Sequence, residues 1–151
     1  MGEKIIVCRA VIPILINGAV KICLGQNPPD KKYGPNLWTL PGGKQEPGEA
    51  LHLTTVREIE GETTLVTTPH DLLFLVKTKR PDGTIIYNFI YLSQATGNSV
   101  LEGQQHDDQA QKVAFYTLDE IIRLGLRLTE STKKAVVILK KFDLKQWAEL
   151  L

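Results

Sequence analysis

The sequence predicts a single α/β domain in which a mixed β-sheet lies between helices, an α/β/α layering. Three observations carry that expectation. β-prone runs and helix-period segments follow one another in the order strands, helix, strands, terminal helices. Turn signals at Asn17-Gly18 and at Arg80-Pro81-Asp82-Gly83-Thr84 separate paired runs. The 151 residues show no repeats, linkers or low-complexity tail, which suits one domain, 1–151, with a sizeable core.

Lys4 to Leu15 is strongly β-prone, with Pro13 marking a bulge or an edge. Ala19 to Gln26 returns after the Asn17-Gly18 turn. The loop NPPDKKYGPN, 27–36, carries Lys31, Lys32 and Tyr33, and reads equally as a flap over a ligand or as a long turn. Trp38-Thr39-Leu40 is a short strand stopped by Pro41-Gly42-Gly43, where two glycines permit a tight turn and a close approach. Helix signals begin at Glu49, and Leu53, Val56 and Ile59 at three-residue spacing predict its apolar face. Val66 to Asp71 connects to a strand over Leu72 to Lys79, and Ile85 to Leu92 pairs back with Tyr87, Phe89 and Tyr91 on one face. Ala95 to Gln111 is a polar loop, and Lys112 to Tyr116 is a last strand. Thr117-Leu118-Asp119-Glu120 is a capping-box pattern for a helix that Gly125 ends. A C-terminal helix opens at Thr129 or Ser131 and is buried through Ala135, Ile138, Leu139 and Phe142. A further turn or two packs through Trp147.

Eighteen basic and 17 acidic residues give a formal charge of +1, no electrostatic case for wrapping long nucleic acid or lying on an anionic membrane. A small phosphorylated ligand remains compatible with that balance. No run approaches the roughly 18 apolar residues of a membrane span. The early Glu3 and the missing small-residue cleavage pattern give no expectation of a signal peptide. Cys8 and Cys23 both fall in β-prone runs and read as small buried hydrophobes, too few for a disulfide framework or a thiolate zinc site. A reducing cytoplasm is the expected compartment.

Glu58 and Glu62 stand four apart, on one side of the predicted helix. Like charges at that spacing repel by roughly 0.2–0.5 kcal/mol in an isolated helix, and a cation held between them reverses the sign. Carboxylate oxygens suit magnesium, which takes one or two carboxylates plus substrate phosphates. An isolated Glu-x-x-x-Glu is more often a solvated helix face. Here a glycine turn aims backbone groups at the same place, and Arg57 adjoins Glu58.

The stretch resembles the Nudix box: Gly, five residues, Glu, seven residues, Arg-Glu, an aliphatic, any residue, Glu-Glu, any residue, Gly, an aliphatic. The chain has Gly43, then Glu49, then Arg57-Glu58, followed by Ile59, Glu60, Gly61, Glu62, Thr63, Thr64 and Leu65. The approach LPGGKQEPGE is also similar to the family's. Two positions depart. Gly61 replaces the first Glu of the pair, usually a metal ligand in the family, and Thr64 replaces the terminal Gly. Gly61 costs roughly 1 kcal/mol against Ala within a helix, which predicts fraying. A β-branched Thr64 disfavours the left-handed conformation of a helix end.

The resemblance implies a Nudix-like α/β/α sandwich that hydrolyses a nucleoside diphosphate linked to another group, with magnesium or manganese as cofactor. It implies that the Gly42 carbonyl and the Glu58 and Glu62 carboxylates hold metal, and that Glu58 takes a proton from water. Arg57 orients Glu58 and Glu49, and Glu49 is a support. Lys44 and Arg9 either meet a phosphate or are plain surface residues. The family often adds a loop carboxylate, for which Asp108, then Asp107 and Glu102, are the candidates; His106 suits magnesium less well. The partner implied is a small nucleotide-type substrate, and a homodimer is open because members often dimerise. The alternative set by Gly61 is a catalytically impaired module that binds a nucleotide or a partner protein.

Overall fold

Residues 2–96 and 112–150 are described by a computed structural model. The elements are β1 (Lys4–Val11), β2 (Pro13–Ile16), β3 (Ala19–Gln26), β4 (Trp38–Thr39), β5 (Gly42–Lys44), α1 (Leu51–Thr63), β6 (Val66–Lys79), β7 (Ile85–Thr96), β8 (Lys112–Tyr116), α2 (Leu118–Arg123), α3 (Glu130–Leu139) and α4 (Leu144–Leu150). The predicted mixed sheet has the order β5-β1-β7-β6, with β1 and β7 parallel and the other pairs antiparallel. A second, antiparallel sheet, which the sequence did not announce, joins β2, β3 and β4, with β8 on β3.

Pro13 explains the division. Proline has no N–H for a ladder, so β1 ends at Val11 and the chain enters the other sheet at Pro13. The expected single strand is therefore two, and of the two readings of Pro13 the edge holds: β2 is an outer strand, paired with β3 alone among the described residues. The hairpin strand β6 begins at Val66, six residues before the expected start. It accommodates Pro69 through irregularities at Pro69/Asp71 and Leu72/Phe74.

Two buried clusters make the core. One gathers Val11, Leu24, Leu40, Ile90, Ile121 and Leu139. The other gathers Ala10, Ile12, Cys23, Ile59, Val113 and Phe115 under α1. The predicted apolar face of α1 is corrected: Leu53 is 53% exposed and Val56 half-buried, while Thr54, Thr55, Ile59, Glu62 and Thr63 are buried. Threonines can be buried there because their hydroxyls donate within the helix, Thr55 to the Leu51 carbonyl at 2.8 Å and Thr63 to the Ile59 carbonyl at 2.7 Å. Phe142 is likewise exposed, lying against Trp147 at 4.8 Å between ring centroids. Tyr87, Phe89 and Tyr91 are half-buried and paired in register with Ile6, Cys8 and Ala10. The capping box of α2 forms as expected, with Thr117 and Glu120 bonded reciprocally.

Candidate active site

The glycine turn is in fact a short strand. β5 pairs with β1, placing Gly42 opposite Arg9 and Gly43 opposite Cys8. Gly42 has φ 150°, and a Cβ there would run into the Cys8 carbonyl and the Arg9 backbone. A Cβ on Gly43 would overlap the Glu58 carboxylate. Both glycines therefore serve close approach: β5 lies on β1, and a glutamate of α1 lies on β5.

Arg57 fixes the loop to the helix. Its Nε donates to Glu49 Oε2 at 2.7 Å, one Nη to Glu58 Oε1 at 2.7 Å, and the other to Glu49 Oε1 at 2.9 Å and the Lys44 carbonyl at 3.1 Å. Glu49 also accepts from the Thr54 hydroxyl at 2.7 Å and the Glu46 amide at 3.1 Å. The Arg57 guanidinium, followed by the Thr54 hydroxyl, holds the Glu49 carboxyl down at about 2. Glu49 in turn raises the pKa of Arg57, so this pair stays charged at any physiological pH.

Glu62 is 8% exposed, and its Oε2 accepts from the Gly42 amide at 3.4 Å. Arg9 donates to the Leu40 carbonyl at 2.8 Å and to Asn88 Oδ1 at 3.3 Å. Burial pushes the Arg9 pKa down, and the charges of Glu62 and Glu58 oppose that shift. A cleft of about 430 Å³ brings Arg9, Gly42, Lys44, Glu58 and Glu62 together, with Gly43 beside them. Of the expected site residues, Arg57 and Glu49 do not line this cleft; they reach it through the Arg57 bond to Glu58. Asp108, Asp107, Glu102 and His106 lie outside the described residues.

The cleft also holds Lys31 of the loop read as flap or turn, and Asn27, Thr39 and Arg80, which the sequence did not single out as site residues. Loop 27–36 folds on itself through Asn27, whose Nδ2 donates to the Gly34 carbonyl at 3.0 Å and whose Oδ1 accepts from Lys31 Nζ at 3.4 Å. Arg80 stacks on Tyr33, 4.6 Å from the ring centroid, and the Tyr33 hydroxyl donates to Asp82 at 3.1 Å. A second hollow of about 270 Å³ continues the first, sharing Arg9, Asn27, Lys31 and Arg80 and adding Tyr33 and Leu37. The one usable signal was the cluster of Lys31, Lys32 and Tyr33 in a Pro- and Gly-rich loop. Arg80 and Asn88 are far away in sequence and arrive through the hairpin and the parallel β1–β7 pairing.

Neither departure from the box disrupts the helix. Gly61 is exposed, with open space where a side chain would project, and α1 runs past it to Thr63. Thr64 does take the left-handed position, φ 61°, with its amide bonded to the Glu60 carbonyl at 2.9 Å.

Among the described residues, no group of three or more His, Cys, Asp or Glu could hold a metal ion. The cleft instead offers two carboxylates and main-chain oxygen, a hard-oxygen donor set that fits magnesium with substrate phosphates completing its shell. The Glu58 carboxylate seated on Gly43, where any side chain would displace it, fits the same use.

A family model described as NUDIX domain matches residues 7–140. The chain is 26% identical over 110 residues to the 8-oxo-dGDP phosphatase NUDT18 of Mus musculus, covering 73% of this chain and 32% of that protein. It thus spans about a third of the length of the curated relatives it matches. Its fold is similar to that of a MutT protein from Methanosarcina mazei Go1, at 20% identity and a TM-score of 0.76, covering 93% of this chain and 95% of that one. It is also similar to the NUDIX domain of Shewanella oneidensis NrtR complexed with ADP ribose, at 18% identity and a TM-score of 0.75, covering 93% and 89%. Among the described residues, no helix is long and apolar enough to cross a membrane.

Proposed function

The chain belongs to the NUDIX domain family, and from that premise we propose that it hydrolyses a diphosphate linkage in a nucleoside diphosphate derivative, with magnesium as cofactor. One observation carries the reading. Two carboxylates one helical turn apart, Glu58 and Glu62, face the same cleft as the Gly42-Gly43 backbone and four basic side chains, Arg9, Lys31, Lys44 and Arg80. The carboxylates suit a divalent cation, and the guanidinium and ammonium groups suit phosphate oxygens.

The Gly42 carbonyl, Glu58 and Glu62 would hold the metal. Magnesium, when bound, neutralises charge on nonbridging phosphate oxygens and makes a bound water more acidic. The remaining work belongs to the chain's own residues. Arg57 holds one oxygen of Glu58 at 2.7 Å, fixing the other toward the Gly43 backbone. In this reading Glu58 takes the proton of the attacking water. Glu49 ties Arg57 in place and does not contact substrate. Arg9 and Arg80 bind phosphate, and the hollow beside Tyr33 and Leu37 receives the group attached to the diphosphate.

A second reading rests on Gly61. The helix position that carries a glutamate in the box is bare and surrounded by open space, so the site holds one carboxylate fewer. That favours a module that binds a nucleotide and turns it over weakly or not at all. The test is a panel of nucleoside diphosphates and triphosphates, nucleotide sugars and dinucleoside polyphosphates with magnesium or manganese, products identified by chromatography, with Gly61→Glu beside the wild type. Turnover by the wild type establishes the hydrolase. Activity in the variant alone supports the impaired module. Silence from both, with nucleotide binding by calorimetry also absent, sinks both readings.

A further inference from the structure

Strand β6 is the outer strand of the mixed sheet, and among the described residues β7 is its one sheet neighbour. A strand edge of this kind presents N–H and C=O groups that template a further strand. Pro69, Lys77, Lys79 and the two irregularities of β6 guard it against unselective pairing, yet it also exposes apolar side chains. On one face Leu72 and Leu75 are 49% and 50% exposed, beside the half-buried Tyr91 and Phe89 with which they are in register. Between β6 and α3 lies a hollow of about 590 Å³ lined by Phe74, Val76, Val137 and Ile138 and bordered by Leu75. Val137 is 58% exposed. Lys77, Lys133 and Lys134 stand at this hollow, and Lys79 follows on the same strand. No acid of α1 or β5 is part of it. This surface lies apart from the cleft of Glu58 and Glu62, with which the hollow has no lining residue in common.

We propose that the β6 edge binds an extended acidic–apolar segment of another protein by strand addition. An added strand lies about 4.8 Å from β6 and alternates its side chains between the two faces. Apolar residues on one side meet Leu72 and Leu75, and those on the other enter the hollow against Val137 and Ile138. Main-chain bonds along β6 supply affinity and the two apolar faces supply selectivity. The charge decides the occupant. Lys133 shares Glu130 at 3.5 Å, while Lys77 and Lys134 have no ion pair among the described residues. A second copy of this chain, paired antiparallel across a two-fold axis perpendicular to β6, would bring its own set of these lysines to the same seam and double the positive charge there. An acidic segment neutralises them.

The test uses a capped ten-residue peptide of repeating Val-Val-Glu-Glu, which puts apolar and acidic side chains on both faces of an added strand, and a matching Val/Lys peptide, with the whole chain. Binding is followed by fluorescence anisotropy, and the site by hydrogen exchange of the β6 amides. The Val/Glu peptide is expected to bind saturably, to slow exchange over 72–79, and to bind at least tenfold more weakly to Lys77→Glu/Lys134→Glu, whose thermal melt matches the wild type. The Val/Lys peptide is expected to bind at least tenfold more weakly to the wild type. No saturable binding of Val/Glu below millimolar concentration overturns the proposal. So does equal binding of both peptides. Protection of β6 by a concentration-dependent dimer without peptide overturns it in favour of a second copy.

Discussion

Gly43→Ala probes the contact on which the site is built. The backbone at Gly43 is not in the left-handed region, so alanine is not excluded by conformation. The added Cβ overlaps the Glu58 carboxylate and its Cγ. Glu58 must swing away, and Arg57 holds it at 2.7 Å. That ion pair is partly exposed, 39% for Arg57 and 22% for Glu58, so its loss costs under about 1 kcal/mol. Overpacking adds about 1 kcal/mol. The expected destabilisation is about 1–2 kcal/mol, a fall in Tm of about 2–8 °C for a chain of this size. Activity should fall further, by about 100-fold, because a shift of roughly 1 Å in a catalytic group costs that much. Gly48→Ala is the control. Gly48 has φ 77° and open space around it, so alanine there costs about 1–2 kcal/mol without touching Glu58. Thermal melts and turnover of the substrate found in the panel are measured on both. The expected pattern is similar loss of stability with activity lost in Gly43→Ala alone. Gly43→Ala with activity within threefold of the wild type would refute the reasoning.

Two further outcomes follow from the same geometry. The Glu49 carboxyl is held at about 2 in the folded chain, below the usual value of about 4.3. Its contribution to stability is therefore complete above the usual value and is lost as pH falls toward 2; urea midpoints from pH 5 to 2 should fall less steeply for Glu49→Gln than for the wild type. Thr64 is a β-branched residue at φ 61°, so Thr64→Gly should raise stability by about 1 kcal/mol, seen as a Tm increase of about 2–4 °C.

The box was legible because its chemistry is local. Arg57, Glu58 and Glu62 are spaced by the helix itself, and Gly42 and Gly43 reach them over a short connection. Of the cleft's basic residues, Arg9, Lys44 and Lys31 were candidates from the sequence, and Arg80 was not, because it reaches the cleft only through sheet pairing between distant segments. The apolar face of α1 misled for a different reason. Spacing alone marks Leu53 and Val56 as inward, but Thr54, Thr55 and Thr63 are buried instead, their hydroxyls satisfied by the helix's own carbonyls or by Glu49. The second sheet was hidden in a run that looks continuous; Pro13 was rightly open to an edge position, but that it also marks the passage to another sheet was not legible. The helix end shows the opposite case: Thr64 was disfavoured on conformational grounds, yet the chain uses it there, with its hydroxyl donating to the Thr63 carbonyl at 2.6 Å.

The central claim is that Glu62 and Glu58 form a metal-dependent hydrolytic site. The most direct measurement is manganese binding by electron paramagnetic resonance, with magnesium-dependent turnover, on the wild type and Glu62→Gln. The account predicts manganese affinity at least tenfold weaker in the variant and turnover reduced by at least 100-fold. Unchanged manganese affinity with activity within twofold of the wild type would contradict it.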